Sequence, residues 1–298
     1  MLSKEIIESR FKEVQQHICQ ALEKADGKAT FHTDAWTRPG GGGGMSKVIK
    51  DGNVIAKGGV NFSAVYGDTP ENIIKALNIP PSDFYATGVS IVIHPINPWV
   101  PIIHMNIRYF EMSNGIWWFG GGIDLTPHYI IEEQAVHVHQ QLKKVSDRYH
   151  TDFYPKFKKW ADDYFYIPHR EETRGVGGIF FDRMGKDAPI EKEQLFNYAC
   201  DLGYLFAEVY PQLIEWNKDK SYGEEELYWQ RIRRGRYVEF NLVYDKGTKF
   251  GLDTNGRTES ILMSLPPLAS WEYNIDLKEG SKEWNTIQLL KAKPEWLK

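Results

Sequence analysis

His104, Asn106 and Arg108 stand at every second position of the run VPIIHMNIRYFEM, interleaved with Ile103, Met105, Ile107 and Tyr109. An imidazole, an amide and a guanidinium in one row can move a proton, hydrogen-bond a ligand and hold an anion. A period of two is the strand period, so the row occupies one sheet face and the apolar set the other. Water could cover the polar face, but apolar segments on both sides of the run argue for a lined cavity. A nearby guanidinium biases His104 toward its neutral form, which can act as a base. A hydrogen-bonded strand histidine near the surface is the structural alternative, and spacing does not separate the two.

Asp124 lies in WWFGGGIDLTP, after two tryptophans and three glycines. Glycines there let something large approach the backbone. An aspartate in that place can hold N–H donors or take a proton; the alternative is a carboxylate capping the turn before Pro127. Arg174 precedes the glycine-rich strand entry RGVGGIFF, and Arg257 sits beside Gly256 in TNGRTES. With Arg108 they offer forks for a polyanionic small molecule, although salt-bridged surface arginines are the commoner arrangement. The run Arg231, Arg233, Arg234, Arg236 reads as a solvated face or an interface edge. The glycines Gly40 to Gly44 lack the lysine and hydroxyl order of a phosphate loop and read as a flexible entry loop. His94, His104, His139 and His169 could converge on a divalent ion. However, His137 and His139 are two apart on a helical segment and point away from each other, so dispersed histidines and no metal are expected.

Positioning these residues requires strands early and late, with helices between. Ile6, Ile7, Phe11, Val14, Ile18 and Leu22 recur at helical spacing over 3–25, closed by Gly27. Asp51-Gly52-Asn53 between two β-prone runs predicts a hairpin. A short helix is expected around 71–77, strands over 89–126, helices over 131–149 and 153–166, and a short strand in GVGGIFFDR. A long helix follows over 191–217 and another over 224–233, ending near Gly235. RYVEFNLVYD alternates Val238, Phe240, Leu242 and Tyr244 against Glu239, Asn241, Val243 and Asp245, which predicts a strand; SILMSLP reads as a last one. No repeat or linker divides the chain. Residues 1–298 therefore read as one α+β domain, a three-layer α/β/α sandwich whose mainly antiparallel sheet is covered by helices on both faces.

Hydrophobic content of 42% excludes a disordered or membrane-embedded chain. Aromatic content of 14%, with ten Trp, points to a broad, flat apolar ligand or a large interface. A net charge of -4 gives no general attraction to nucleic acid, so an anionic ligand needs local arginines. Two cysteines, Cys19 and Cys200, exclude a disulfide framework, a four-cysteine zinc site and a cysteine-bound iron–sulfur cluster. The segment MLSKEIIESRFKEVQQ has no signal-peptide core and is too acidic for a transit peptide, and no run approaches a membrane span. A reducing, cytoplasmic setting is expected.

Whole blocks resemble a known family. GGGGMSKV, GGVNFSAVYG, GVSIVIHPINPWVPIIHMNIRYFE, WWFGGGIDLTP, KKWADDYFYIPHREETRGVGGIFFD and RGRYVEFNLVYDKGTKFGLDTNGRTESILMSLPPLASWEY are similar, in order, to segments of oxygen-dependent coproporphyrinogen III oxidases. The resemblance implies an enzyme of heme biosynthesis. It would convert two propionates of coproporphyrinogen III to vinyl groups by oxidative decarboxylation, giving protoporphyrinogen IX, with O2 consumed and CO2 and hydrogen peroxide released. It also implies a flat antiparallel sheet between helical layers, no required metal or organic cofactor, and a homodimer whose contact region matches 237–273. By motif, Ser90, Asn106, Ile107, Arg108, Gly256 and Arg257 match substrate-contacting positions, with Asn255 beside them. His104 matches the usual proton donor, Asp124 the aspartate that engages pyrrole N–H groups, and Arg174 another active-site arginine. His94, His104, His139 and His169 match positions assigned to a metal in bacterial relatives.

The chain departs from the pattern in two places. The usual GGR reads Asn255-Gly256-Arg257, and the usual aspartate–arginine before GT reads Asp245-Lys246, which keeps the charge but not the fork. A non-catalytic tetrapyrrole carrier and a metal-dependent hydrolase remain the alternatives to this oxidase.

Overall fold

The computed structural model describes residues 2–69, 74, 82–253 and 256–297, so Asn255 and, apart from position 74, the helix expected over 71–77 lie outside the described residues. Seven strands make one antiparallel sheet: β1 His32–Thr37, β2 Gly42–Lys50, β3 Ile55–Asp68, β4 Asp83–Pro95, β5 Ile102–Met112, β6 Trp117–Thr126 and β9 Gly177–Met184. The first six lie side by side in chain order, and β9 joins at the β6 edge. A separate pair, β7 (Tyr166–Ile167) and β8 (Glu172–Thr173), stands before β9. The helices are α1 Lys4–Asp26, α2 Glu132–Asp147, α3 Phe153–Tyr164, α4 Lys192–Asn217, α5 Glu224–Val243, α6 Lys246–Asp253, α7 Thr258–Leu262 and α8 Lys282–Ala292. Among the described residues no helix is long and apolar enough to cross a membrane.

Strand alternation decides the layers. Ile91 and Ile93 of β4, Ile103, Met105 and Ile107 of β5, and Phe119 of β6 are fully buried on one face. They pack with Phe11, Val14 and Ile18 of α1 and Leu202 and Phe206 of α4. Each such side chain contributes roughly 1.5–3 kcal/mol by leaving water. The opposite face is covered less completely. Tyr237 of α5 packs on Val92 and Ile102. α7 docks over β2 and β3, where Ser260 meets Ser46 Oγ at 2.8 Å and its carbonyl accepts from Asn61 Nδ2 at 2.7 Å. This is the expected sandwich, with the middle of the second face left open.

Four expectations change. RYVEFNLVYD continues α5 to Val243 instead of forming a strand. Tyr237, Phe240, Asn241 and Tyr244 also recur at three and four, and extending an existing helix adds a hydrogen bond per residue without a new nucleus. SILMSLP contains the end of α7 and turns, with no strand. The arginine run is not solvated: Arg233, Arg234 and Arg236 are 2%, 3% and 9% exposed. Arg233 Nη1 donates to Glu172 at 2.6 Å and Arg234 Nη2 to the Pro95 carbonyl at 2.6 Å, so each buried cation has an acceptor. Gly42 to Gly44 belong to β2, paired on both sides, rather than to a loop. A Cβ at Gly44 would lie 2.4 Å from the Trp36 ring, which is why glycine stands there.

The end of α1 is stapled to the β2–β3 hairpin by one carboxylate. Asp26 Oδ1 accepts from the backbone N–H groups of Ala29 and Asn53, and Oδ2 from those of Val54 and Ile55, at 2.9–3.1 Å. Burial opposes the charge, but these bonds outweigh it and hold the carboxyl below its ordinary range. Asp26→Ala is expected to cost about 3 kcal/mol, since several donors lose a charged acceptor. Because the folded-state value is depressed, this stabilisation is complete above the unfolded value near ~3.9 and disappears as pH falls through the folded one. Urea unfolding of both proteins should therefore show a gap at neutral pH that narrows in acid.

Candidate active site

The sheet register turns separate sequence signals into rows. Val92, His104, Asp124 and Gly178 lie opposite one another across β4, β5, β6 and β9. The next row on that face is Asn61, Ser90, Asn106, Gly122 and Phe180, and the one after is Ser63, Gly88, Arg108 and Gly120. Small residues thus leave a cleared floor on the open face. Aromatic rings border it. Phe110 stacks on Trp118 at 4.1 Å and lies 6.1 Å from Phe84, while Phe180 stacks on Tyr164 at 4.3 Å.

At one end of the floor stands a connected triad. His104 Nδ1 lies 2.7 Å from Asp124 Oδ1. Arg174 Nη2 donates to Oδ1 and Oδ2 of Asp124 at 2.9 and 2.8 Å, and its Nη1 to Asn241 Oδ1 at 2.8 Å. The guanidinium carbon is 4.3 Å from the Phe165 ring centroid and 4.7 Å from those of Tyr237 and Phe240. The Asp124 and Arg174 side chains are 1% and 2% exposed, whereas that of His104 is 23% exposed. Burial alone would push the Asp124 carboxyl up, but Arg174 and then His104 outweigh it and hold it below the usual range. An ionised carboxylate only accepts, so His104 donates from Nδ1, and in the neutral imidazole the lone pair is then at Nε2. No hydrogen bond to that nitrogen occurs among the described residues. Arg174 fixes Asp124, and Asp124 fixes the histidine tautomer, so that Nε2 of the neutral ring can act as a base.

Ser90, Asn106 and Arg108 lie on this face together with His104 and Asp124. Arg108 donates to Asn106 Oδ1 at 2.6 Å and to Asp182 Oδ1 at 2.8 Å. Arg257, beside the exposed Gly256, pairs with Asp34 of β1 at the other side of the floor. Two of the expected site residues have sealed side chains. Ile107 is 0% exposed in the apolar core, because a single step along a strand reverses the face. The Arg174 side chain is 2% exposed, with Nη2 on Asp124 and Nη1 on Asn241, so its guanidinium is engaged within the protein.

The histidines do not gather. His94 is buried with Nε2 on the Ser264 carbonyl at 2.8 Å. His139, on α2 in the helical layer behind the apolar face, has its nitrogens on Tyr154 Oη and the Val176 carbonyl, each at 2.9 Å. His169 meets Tyr244 Oη and Glu239 at 2.7 Å. His94, His104, His139 and His169 thus each have separate partners, and among the described residues no cluster of His, Cys, Asp and Glu is grouped to hold a metal.

Sequence reasoning missed Asp34, Asp182, Asn241 and the rings around Arg174. The alternation of Gly178, Phe180 and Asp182 along one strand was an available signal for Asp182. Asn241 was hidden by the strand reading of its segment. Two surface hollows of about 430 and 440 Å³, one bordered by Lys143 and Arg148, the other by Trp99 and Lys282, contain none of the triad or floor residues. A seat for a plate-shaped ligand is open, so enclosed volume is a poor guide to it.

Residues 6–296 match a family model described as coproporphyrinogen III oxidase. The oxygen-dependent coproporphyrinogen-III oxidase, chloroplastic, of Glycine max is 48% identical over 305 residues, spanning 97% of this chain and 78% of the relative. Coproporphyrinogen-III oxidase 1, chloroplastic, of Arabidopsis thaliana is 46% identical, with the same coverage. The oxygen-dependent coproporphyrinogen-III oxidase, mitochondrial, of Homo sapiens is 48% identical over 96% of this chain and 65% of the relative. These relatives are named for chloroplasts and mitochondria, which overturns the cytoplasmic expectation drawn from the N-terminal composition.

Proposed function

This chain belongs to the coproporphyrinogen III oxidase family, and from that premise we propose that it is an oxygen-dependent coproporphyrinogen III oxidase of heme biosynthesis. Its substrate is a puckered tetrapyrrole with carboxylates at its rim and N–H donors at its centre. Each turnover of a propionate balances as R–CH2–CH2–COO⁻ + O2 + H⁺ → R–CH=CH2 + CO2 + H2O2. The electron pair of the breaking C–C bond becomes the vinyl π pair, and a hydrogen leaves the neighbouring carbon with its electrons for oxygen. The electron-rich pyrrole eases the departure of that hydrogen with its electron pair, so O2 is the co-substrate and no metal or organic cofactor is required in this reading. The protein's task is orientation and proton movement.

The observation that carries the proposal is the His104–Asp124–Arg174 triad opening on a floor of small residues that also bears Arg108. The floor receives the ring, with Ser90 and Asn106 beneath it. Arg108 and Arg257 hold propionates as bidentate forks. His104 Nε2 takes a proton from a pyrrole N–H and passes it to the reduced oxygen, and the H⁺ of the balance restores the pyrrole N–H. Asp124 acts through His104, because its oxygens are already engaged and its side chain is 1% exposed. Residues 1–298 act as one domain in this reading. They pair as a homodimer through 237–273, where Leu242, Val243, Phe250, Leu268, Trp271 and Tyr273 are 45–95% exposed.

Incubating the protein with coproporphyrinogen III in air is expected to give vinyl product, unaffected by a chelator. Binding without product would identify a carrier, and loss of turnover on chelation a metal enzyme.

A further inference from the structure

The two partly exposed arginines of the floor already hold carboxylates from the chain itself. Arg108 Nη2 donates to Asp182 Oδ1 at 2.8 Å, and Arg257 Nη2 donates to Asp34. The Arg108 and Asp182 side chains are 35% and 33% exposed, and those of Arg257 and Asp34 are 29% and 43%. The Arg174–Asp124 pair, by contrast, is sealed. Room for the first pair is built in: a Cβ at Gly120 would lie 2.8 Å from Arg108 Nε and 2.8 Å from Asp182 Oδ1. Among the described residues, neither Asp182 nor Asp34 has another ion-pair partner.

We propose that Asp182 and Asp34 are exchangeable counter-carboxylates, which occupy the Arg108 and Arg257 forks in the empty site and yield them to the propionates of the ligand. The proposal rests on the reading of the ligand as a multiply carboxylated tetrapyrrole. Half-exposed pairs are weak enough to open. A simple carboxylate brings Arg108 nothing that Asp182 does not already provide. A ligand that engages both forks and the floor in one event outcompetes both aspartates, because the second contact is intramolecular once the first is made. Selection for a large polycarboxylate follows, without any wall to exclude small anions. When a propionate departs as CO2, the aspartate closes again on its fork, so no guanidinium is left without an anion. Asp182 and Asp34 are positioning residues, acting through the arginines.

The test is steady-state kinetics on Asp182→Asn and Asp34→Asn, with succinate as a competing probe. In each variant KM should fall about three- to tenfold with no matching rise in kcat. Succinate should inhibit at concentrations that leave the unaltered protein untouched. Adding Arg108→Gln should abolish the gain of Asp182→Asn. A merely structural role would raise KM and create no succinate sensitivity. Unchanged or raised KM in both variants, with no new inhibition, overturns the proposal while turnover by the unaltered protein leaves the functional reading standing. Absence of vinyl product from the unaltered protein overturns both. The two aspartates lie on different strands, so a folding defect in one variant leaves the other readable.

Discussion

Arg174→Met is expected to destabilise the protein by about 3–5 kcal/mol and to abolish turnover. The guanidinium lies among Phe165, Tyr237 and Phe240 and is the cation that offsets the buried Asp124 charge. Without it a carboxylate that is 1% exposed has only His104 as partner. Its carboxyl would then move up toward protonation, and His104 would lose the acceptor that sets its tautomer. Arg174→Lys should fail too, because an ammonium cannot grip both Asp124 oxygens and Asn241 from one plane. The double change Arg174→Met with Asp124→Leu should recover much of the stability, since an apolar pair of similar volume can replace a buried ion pair, yet recover no activity. The penalty also has a pH signature. Asp124 is depressed in the folded protein, so the pair stabilises fully above the unfolded value near ~3.9 and loses its effect as pH falls through the folded value. Urea unfolding across pH checks this, and a single variant as stable as the unaltered protein would show that the pair is not sealed.

Asp124→Asn should lower kcat by about 10²–10⁴ while changing KM little. The amide is nearly isosteric, but it can offer His104 an N–H and so invert the tautomer that presents a lone pair at Nε2. The split between kcat and KM decides how Asp124 works. If it gripped the pyrrole N–H groups directly, as the family resemblance implies, KM would rise together with the loss of rate. Because its oxygens are engaged by Arg174 and His104, the geometry predicts loss of rate with binding retained. Binding of a non-reactive, fully oxidised porphyrin analogue, followed by fluorescence, separates the two, and equal losses in binding and rate would reject the positioning role.

The alternation in VPIIHMNIRYFEM was enough to place His104, Asn106 and Arg108 on one face and Ile107 in the core, because a strand's side-chain period is a local property. The core position of the Ile107 side chain follows that pattern. The amphipathic spacing of α1 and the Asp51-Gly52-Asn53 turn were equally local and appear as expected. RYVEFNLVYD was ambiguous because it satisfies both a period of two and a spacing of three and four. The choice rests on the helix already running from Glu224 and on the packing of Tyr237 and Phe240.

Local pattern alone established which residue types face together, the need for arginine forks, and, through long ordered blocks, the family. Cross-strand register and helix docking established the rest: Asp124 behind His104, Arg174 behind Asp124, Asp182 on Arg108, and Arg233 and Arg234 out of water. Those relations join residues distant in the chain, Asp124 with Arg174 and Arg108 with Asp182, and only the folded chain brings them within hydrogen-bond reach. A carboxylate's role depends on which cation reaches it and how much water is left, and neither is written in its neighbours along the chain.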